Sequence, residues 1–431
     1  MPDTPAGPVL PKGARTVCDA EVDTHAGGQD LARGFEAAWE ELEGIGRHPG
    51  TGGYRRFAWT LVDLELRAWF ADQAAARGMA VEQDRNGNQW AWWGEPGPGA
   101  VVTGSHLDSV PDGGAFDGPL GVVSAFLAID ELRARGAVPD RPVAVVAFAD
   151  EEGARFGVAC AGSRLLTGVL DPDRARALRD AEGTTLAEAV HAAGADPRAL
   201  GRDDEALGRI GVLVELHVEQ GRALVHSGDP VGLATAIRPH GRWRLGFAGA
   251  ADHAGTTRLA DRRDPMLPFA ATVLEARRLA ERAGAVATVG RVQVAPNGTN
   301  AVPSRVDAWL DARAEDEGAV TRLVADLTAA AERSAAEHRT AVTVSQESWS
   351  PVVAFDAALR DRLSAVLGSV PALPTGAGHD AGVLAAHVPT AMLFVRNPTG
   401  VSHSPAERAE TDDCLAGVRA LAAVLEELAC R

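Results

Sequence analysis

Four short polar segments of this 431-residue chain combine histidine with carboxylate side chains. Each comes directly after an apolar run that predicts a buried strand. Imidazole and carboxylate groups without thiolates suit Zn²⁺, Mn²⁺ and similar ions in hydrolytic sites. Together the segments therefore predict a hydrolytic metal centre. They are Thr103-Gly104-Ser105-His106-Leu107-Asp108 with Gly113-Gly114-Ala115-Phe116-Asp117-Gly118, Phe148-Ala149-Asp150-Glu151-Glu152-Gly153, Glu215-Leu216-His217-Val218-Glu219-Gln220-Gly221 and Gly400-Val401-Ser402-His403-Ser404-Pro405.

The first two segments indicate how one centre would hold two ions. Two ions about 3.5–4 Å apart need a bridging carboxylate, and Asp117 is short and followed by Gly118, which leaves room for both. Neighbouring residues at a strand end point to opposite sides, so Glu152 can bind an ion while Glu151 faces the substrate. From there Glu151 can take a proton from the attacking water and pass it to the leaving nitrogen.

Each segment taken alone has a plainer interpretation. A single histidine at the end of a strand is more often a hydrogen-bonded structural residue. The run Asp150-Glu151-Glu152-Gly153 alone is typical of a solvated turn, and Gly113-Gly114 of a flexible loop. Four such segments in equivalent positions favour a functional site.

The patterns between these segments predict the elements that position them. Apolar residues at three- and four-residue steps predict helices over 35–79, 121–135 and 412–430. Short apolar runs predict strands over 89–92, 100–104, 142–149, 211–216 and 391–395. This alternation of strand and helix predicts an α/β fold with a mostly parallel sheet. Ligands of such sheets lie beyond the carboxyl ends of the strands, where the four segments begin.

The pattern changes after residue 235. Residues 243–247 and 305–311 alternate like half-exposed strands, with a helix and a further strand between them. We expect an inserted α+β lid and dimerisation domain over 236–350. The catalytic domain then comprises 35–235 and 351–431, and the Pro-, Gly- and Asp-rich residues 1–34 read as a disordered-like tail.

Length and composition limit the other possibilities. A chain of 431 residues predicts two domains. The formal net charge of −17 argues against nucleic-acid and anionic-membrane partners. No apolar run approaches the roughly 20 residues that span a bilayer. The scattered cysteines indicate a reduced cytoplasmic compartment; they are Cys18, Cys160, Cys414 and Cys430.

Two absences exclude other kinds of chemistry. Lysine occurs only at Lys12, so neither a phosphate-binding loop nor a Schiff-base enzyme can be built. A Gly-x-Ser-x-Gly turn is missing as well, which excludes the common serine hydrolase arrangement.

The four segments resemble the zinc-dependent aminoacylase and carboxypeptidase superfamily. Within it they are similar to the branch of allantoate amidohydrolases, N-carbamoyl-L-amino-acid hydrolases and β-ureidopropionases. The marker of the branch is His217-Val218-Glu219-Gln220-Gly221, which supplies a histidine where peptidase relatives have an acidic ligand. The resemblance extends from about residue 35 to the C-terminus.

This resemblance implies two divalent metal ions per subunit, Zn²⁺ or Mn²⁺, with Co²⁺ or Ni²⁺ as alternatives. It implies a base, Glu151, and a carboxylate, Asp108, that orients a histidine ligand. The implied metal ligands are His106 and His217 on one ion, Glu152 and His403 on the other, and Asp117 on both.

The resemblance also covers the predicted lid. Asp252-His253-Ala254-Gly255-Thr256-Thr257 is similar to the segment whose histidine reaches the active site of the other subunit and stabilises the oxyanion. It therefore implies a homodimer. Asn300 and Arg313 match residues that bind the substrate α-carboxylate, and Gln220 and His379 match further substrate contacts.

The implied activity is hydrolysis of a ureido or carbamoyl C–N bond in a small α-carboxylate substrate. Allantoate is the first choice and an N-carbamoyl-L-amino acid the second. An N-formyl or N-acyl acidic amino acid is an alternative, as is a peptidase or aminoacylase substrate. A metal-site scaffold kept as a binding protein is disfavoured, because Glu151 and every matched ligand are present.

Two stretches depart from the pattern of the branch, Arg238-Pro239-His240 and Val395-Arg396-Asn397-Pro398-Thr399-Gly400. We expect Arg396 near the mouth of the site, where it would meet a second acidic group of the substrate. The alternative is a solvated surface arginine.

Overall fold

The computed structural model describes residues 24–430, with side chains from residue 28 onward. Lys12 and Cys18 lie outside the described residues. Helices α1 to α13 are Thr24–Glu43, Leu61–Ala76, Pro119–Ala134, Ala161–Thr167, Pro172–Ala177, Leu186–Ala192, Asp204–Arg209, Ala223–Ser227, Met266–Ala283, Glu317–Glu337, Ala357–Leu367, Asp380–Leu384 and Thr411–Ala429. Strands β1 to β15 are Ala80–Gln83, Gln89–Trp93, Ala100–His106, Val143–Phe148, Ile210–Val218, Val231–Ile237, His240–Ala248, Asp252–His253, Val286–Ala295, Ala301–Val302, Arg305–Arg313, Ala341–Ser350, Val353–Ala354, Ala372–Thr375 and Thr390–Val395.

The larger sheet has the strand order β1-β2-β4-β3-β5-β15-β6-β13, and β14 also pairs with β6. Its centre is parallel, because β3 pairs in parallel with β4 and β5, and β5 with β15. Every residue of β3, β4 and β15 is buried, as expected for strands covered by helices on both faces. One face packs against α3 and α13, and the other packs against α12. The prediction of an α/β fold with a mostly parallel sheet is confirmed.

The smaller sheet is antiparallel throughout, with the order β12-β7-β11-β9. It covers residues 240–350, and its apolar face packs against α9 and α10 in a separate core that includes Phe247 and Leu323. A short two-stranded ribbon joins β8 and β10, with His253 opposite Ala301.

The region predicted to be helical over 35–79 is helical only in part, because residues 44–60 separate α1 from α2. Arg56 is buried in this interruption, where its guanidinium donates to the carbonyls of Ile45 at 3.0 Å and Leu42 at 2.7 Å. These bonds hold Arg56 against the last turn of α1 and the residues that follow it. Helix α2 then starts with the Thr60 hydroxyl accepting from the backbone N–H of Asp63.

The start of α1 also differs from the prediction. The disordered-like tail was expected to reach residue 34, but α1 begins at Thr24. Leu31 and Phe35 of this helix are buried in the core that the larger sheet forms with α3 and α13, which explains why the chain is helical there. Within residues 24–430, none of the helices has the length and apolar composition needed to cross a membrane.

Candidate active site

The parallel arrangement of β3, β4 and β5 brings the predicted segments to one edge of the larger sheet. His106 is the last residue of β3 and lies opposite Phe148, the last residue of β4. Glu151 and Glu152 follow Phe148 within four residues. His217 lies near the end of β5, opposite Phe394 of β15. The shared edge is the physical reason why residues far apart in the chain meet here.

Two buried histidines face one carboxylate at this edge. The Nε2 atom of His217 lies 3.1 Å from Asp117 Oδ1, and that of His106 lies 3.6 Å from the same oxygen. The side chains of His106 and His217 are at most 1% exposed, and that of Asp117 is 7% exposed. Burial would raise the pKa of Asp117, but the imidazoles of His217 and His106 hold it well below its usual value.

The tautomers of both histidines suit metal binding. Nδ1 of His217 lies 2.9 Å from the carbonyl oxygen of Val218, and Nδ1 of His106 lies 3.1 Å from that of Asp108. A carbonyl oxygen only accepts, so each Nδ1 carries a hydrogen, and in the neutral ring each Nε2 keeps a lone pair for a metal ion. Both Nε2 atoms are buried, and although Asp117 Oδ1 is near each of them, neither makes a hydrogen bond of suitable geometry among the described residues. The donor set therefore fits a divalent ion.

His106, His217 and Asp117 form a first group of candidate ligands. Asp117 also belongs to a second group, with Glu152 and His403. Nε2 of His403 lies 3.5 Å from Asp117 Oδ2 and 3.5 Å from Glu152 Oε2. His403 has a positive φ of 55°, a strained conformation that is uncommon outside glycine. In each group the candidate ligand atoms lie within 4.8 Å of one another. Asp117 is thus positioned between two sets of ligands.

The loop that carries Asp117 is held from several sides. Glu407 Oε1 accepts from the backbone N–H groups of Phe116 at 2.8 Å and Asp117 at 2.9 Å. Asp117 Oδ2 accepts from Gln220 Nε2 at 2.8 Å and from Ser402 Oγ at 2.9 Å. Glu407 and Ser402 were not singled out from the sequence, and only their position beside His403 could have drawn attention to them.

Gly118, which follows Asp117 in this loop, has to be a glycine. It has a φ of +87°, and a Cβ at this position would lie 2.4 Å from the His106 ring. Any larger residue would displace either the histidine or the Asp117 loop.

Glu151 is buried next to the first group. Its Oε2 lies 3.8 Å from His106 Nε2, and its Oε1 accepts from the thiol of Cys160 at 3.3 Å. Asp108 accepts from the backbone N–H groups of both Glu151, at 3.1 Å, and Glu152, at 3.0 Å. Asp108 therefore fixes the tandem glutamates as well as lying 3.5 Å from His106 Nδ1.

The charge state of the two glutamates depends on their burial. Burial raises the pKa of Glu151 well above its usual value, and His106 opposes this shift. Burial and the charge of Asp117 raise the pKa of Glu152 to about 8. A raised pKa makes Glu151 a stronger base than an exposed glutamate, which suits a proton acceptor.

A third group of possible ligands comprises Glu215, His217 and His379. Glu215 already accepts from Ser105 Oγ at 2.7 Å and from the backbone N–H of Ala381 at 3.0 Å. Burial and the charge of His217 lower the pKa of His379 well below its usual value. His379 is therefore neutral, and its Nε2 is buried without a partner in the described chain.

A cavity of about 590 Å³ opens above Asp117, Glu151 and Glu152. Gln220, His379 and Arg313 line it, as do His240 and Arg242 from the smaller sheet. Arg313 is held in place by Asp311, which accepts at 2.7 Å and 3.1 Å, and by a bond to the carbonyl of Gly376 at 2.6 Å. Three of the predicted substrate contacts are thus gathered around the candidate ligands.

His253 and Asn300 do not line this cavity. Both are exposed, and they lie together on the β8–β10 ribbon, where the backbone N–H of Ala254 donates to the carbonyl of Asn300 at 3.0 Å. Nδ1 of His253 accepts from the backbone N–H groups of Gly255 at 3.0 Å and Thr256 at 3.2 Å. Its Nε2 therefore carries the hydrogen of the neutral ring.

Arg396 does not fit its predicted place at the mouth of the site. Its guanidinium forms a bidentate ion pair with Asp413 of α13, at 2.9 Å and 2.7 Å, and donates to the carbonyl of Gly228 at 3.1 Å. It is absent from the lining of the cavity. Arg396 therefore joins the β15 segment to α13 outside the cavity.

Comparison with known proteins agrees with this site. A family model for Peptidase family M20/M25/M40 matches residues 102–427, which include every candidate ligand. The chain belongs to this family.

Individual relatives indicate which kind of enzyme within this family the chain is similar to. An N-carbamoyl-L-amino acid amidohydrolase from Geobacillus stearothermophilus is 39% identical over 407 residues, covering 91% of this chain and 98% of the relative. An allantoate amidohydrolase from Escherichia coli (strain K12) is 34% identical over 410 residues, covering 92% and 98%. A crystal structure of an amidase of the hydantoinase/carbamoylase family from Burkholderia vietnamiensis has a TM-score of 0.82 at 32% identity, covering 93% and 98%. The predictions of this family branch and of an amidohydrolase acting on C–N bonds are confirmed.

Proposed function

We propose that the chain hydrolyses a ureido or carbamoyl C–N bond in a small α-carboxylate substrate, using two divalent ions per subunit. Allantoate and N-carbamoyl-L-amino acids are the two candidate substrates that relatives of this chain are named for. One observation carries the proposal: Asp117 lies between two groups of ligand atoms while Glu151 faces the same cavity. Zn²⁺ or Mn²⁺ suits these ligands, with Co²⁺ or Ni²⁺ as alternatives.

The proposed ligands are His106 and His217 for one ion, Glu152 and His403 for the other, and Asp117 for both. When bound, the ions would polarise the scissile carbonyl and lower the pKa of water, so that it gives up a proton more readily. Water adds to the carbonyl carbon and the bond from carbon to nitrogen breaks. Glu151 takes a proton from the water and gives it to the leaving nitrogen, while Asp108 keeps the Glu151 backbone in place.

The substrate contacts follow from the cavity. We assign the α-carboxylate to Arg313, whose planar guanidinium is held in position by Asp311. Gln220 and His379 contact the remaining polar atoms, because each has a buried polar atom without a partner in the described chain.

A homodimer completes this site in the proposal. His253 and Asn300 are exposed on one ribbon, so they are available to the active site of a second subunit. His253 Nε2 then donates to the developing oxyanion, and Asn300 assists in binding the carboxylate. In this proposal residues 236–350 are the lid and dimerisation domain, with 35–235 and 351–431 as the catalytic domain.

The thiols of Cys160, Cys414 and Cys430 are free, which supports a cytoplasmic location.

The products that the protein forms distinguish between the candidate substrates. The metal-loaded protein is given allantoate, N-carbamoyl-L-amino acids, N-formyl-L-glutamate and dipeptides, and ammonia, formate and free amino acids are measured. Ammonia from a ureido or carbamoyl compound is the expected product. Turnover of dipeptides or of the formyl compound alone would refute the proposal.

A further inference from the structure

Arg164 is a cavity residue to which no role has yet been assigned. It lies on α4 and lines the cavity beside Cys160, the residue whose thiol donates to Glu151. The adjacent Ser163 donates to the buried Asp380 at 2.5 Å, which ties α4 to the start of α12. Arg164 is therefore on a firmly held wall of the cavity, on the same side as Glu151.

The guanidinium of Arg164 has no carboxylate partner within residues 24–430. Its Nε atom is buried and makes no hydrogen bond. The other two arginines of the cavity, Arg242 and Arg313, both pair with Asp311. Burying a donor without a partner costs free energy, so such a group in a substrate cavity indicates a ligand that supplies the acceptor.

We infer that Arg164 binds a second acidic group of the substrate, so that the preferred substrate is the ureido or carbamoyl derivative of an acidic amino acid. This inference rests on the proposed function. The α-carboxylate lies at Arg313 on the wall formed by the smaller sheet, and the side-chain carboxylate lies at Arg164 on the α4 wall. The reacting carbonyl is then held between them at Asp117 and Glu151.

The chemistry of the cavity supports a carboxylate at this point. A guanidinium can bind both oxygens of a carboxylate at once, which adds direction as well as charge. Val169 and Val383 also line the cavity and can contact the methylene groups that join the two acids. The volume of about 590 Å³ accommodates a substrate of this size. Arg396, the residue first expected in this role, lies outside the cavity and pairs with Asp413.

Matched substrate pairs test the inference. N-carbamoyl-L-glutamate is compared with N-carbamoyl-L-glutamine, which has the same shape without the second charge. Wild-type protein is expected to have the lower KM for the glutamate compound. Arg164→Leu should raise that KM by about 10- to 100-fold, the effect of losing a hydrogen-bonded charge pair, and leave the KM for the glutamine compound nearly unchanged.

Two further variants serve as controls. Arg174→Leu removes an exposed arginine of α5 outside the cavity, so it tests the effect of net charge alone. Arg164→Lys keeps a cation and should restore part of the preference, provided that thermal unfolding shows both Arg164 variants to be folded. Equal KM changes for both substrates in Arg164→Leu would overturn the inference. The same loss of preference in Arg174→Leu, or no preference in wild type, would do so too.

Calorimetric binding of L-glutamate and L-glutamine separates this inference from the proposed function. Tighter binding of glutamate by wild type, lost in Arg164→Leu, supports the site even if no carbamoyl compound is hydrolysed. In that case the proposed function fails and the acidic subsite stands. Equal binding of both amino acids by wild type would overturn the subsite whatever the activity.

Discussion

The edge of the parallel sheet and the β8–β10 ribbon present their functional residues in opposite ways. At the sheet edge His106 and His217 are almost fully buried, and their partners lie within the same chain. On the ribbon His253 and Asn300 are exposed and lie outside the cavity. One chain can therefore bring the proposed metal ligands together by itself, whereas the proposed roles of His253 and Asn300 require a second subunit.

The largest expected effect concerns the sheet edge. Glu151→Gln keeps the shape of the side chain but removes the proton acceptor, so kcat should fall by about 10²- to 10⁴-fold. Metal content should stay at the wild-type value, because Glu151 is not a proposed ligand. Steady-state kinetics and elemental analysis check both points, and activity within a few-fold of wild type would remove Glu151 from its role.

The next largest effect concerns the ribbon. His253→Ala should lower kcat by about 10²- to 10³-fold, which is typical for the loss of one donor to an oxyanion. Because His253 is exposed within its own chain, metal content and thermal stability should not change.

Mixing two inactive variants sharpens this comparison. If His253 acts in the neighbouring subunit, mixed dimers of His253→Ala and Glu151→Gln contain one active site with both residues intact. Part of the wild-type activity should therefore return. Mixed dimers that are verified by mass and stay inactive would place both residues in a single chain.

A smaller effect is expected at Glu407, which holds the Asp117 loop in place. Glu407→Ala leaves the backbone N–H groups of Phe116 and Asp117 without their acceptor, which should weaken metal binding by about 10- to 100-fold. Glu407→Gln keeps an oxygen acceptor and should restore much of the affinity. Titration with Zn²⁺ or Mn²⁺ measures both, and equal losses in the two variants would show that the acceptor is not what matters.

The smallest effect on activity is expected at Arg396. Arg396→Gln leaves Asp413, whose side chain is 5% exposed, without its cation, and should reduce the free energy of unfolding by about 1–2 kcal/mol. Urea unfolding would show this loss while KM stays unchanged. A rise in KM for diacids at full stability would return Arg396 to the substrate.

The sheet edge was the most predictable part of the molecule. Its strands are apolar runs that end in acidic and histidine residues, a pattern that is visible in the chain itself. Glu407 could not be predicted in the same way, because its role depends on a contact with Asp117 across 290 residues. Arg396 was placed wrongly because its position near His403 does not determine the direction of its side chain. The ribbon resembled a known lid segment, but its exposure became visible only in the fold.

Anomalous diffraction from crystals of the protein with Zn²⁺ or Mn²⁺ tests the central claim most directly. The account predicts two peaks per chain, about 3.5–4 Å apart, on opposite oxygens of Asp117. One peak should lie at His106 and His217, and the other at Glu152 and His403. A single peak, or a peak held by Glu215 and His379, would contradict the proposed centre.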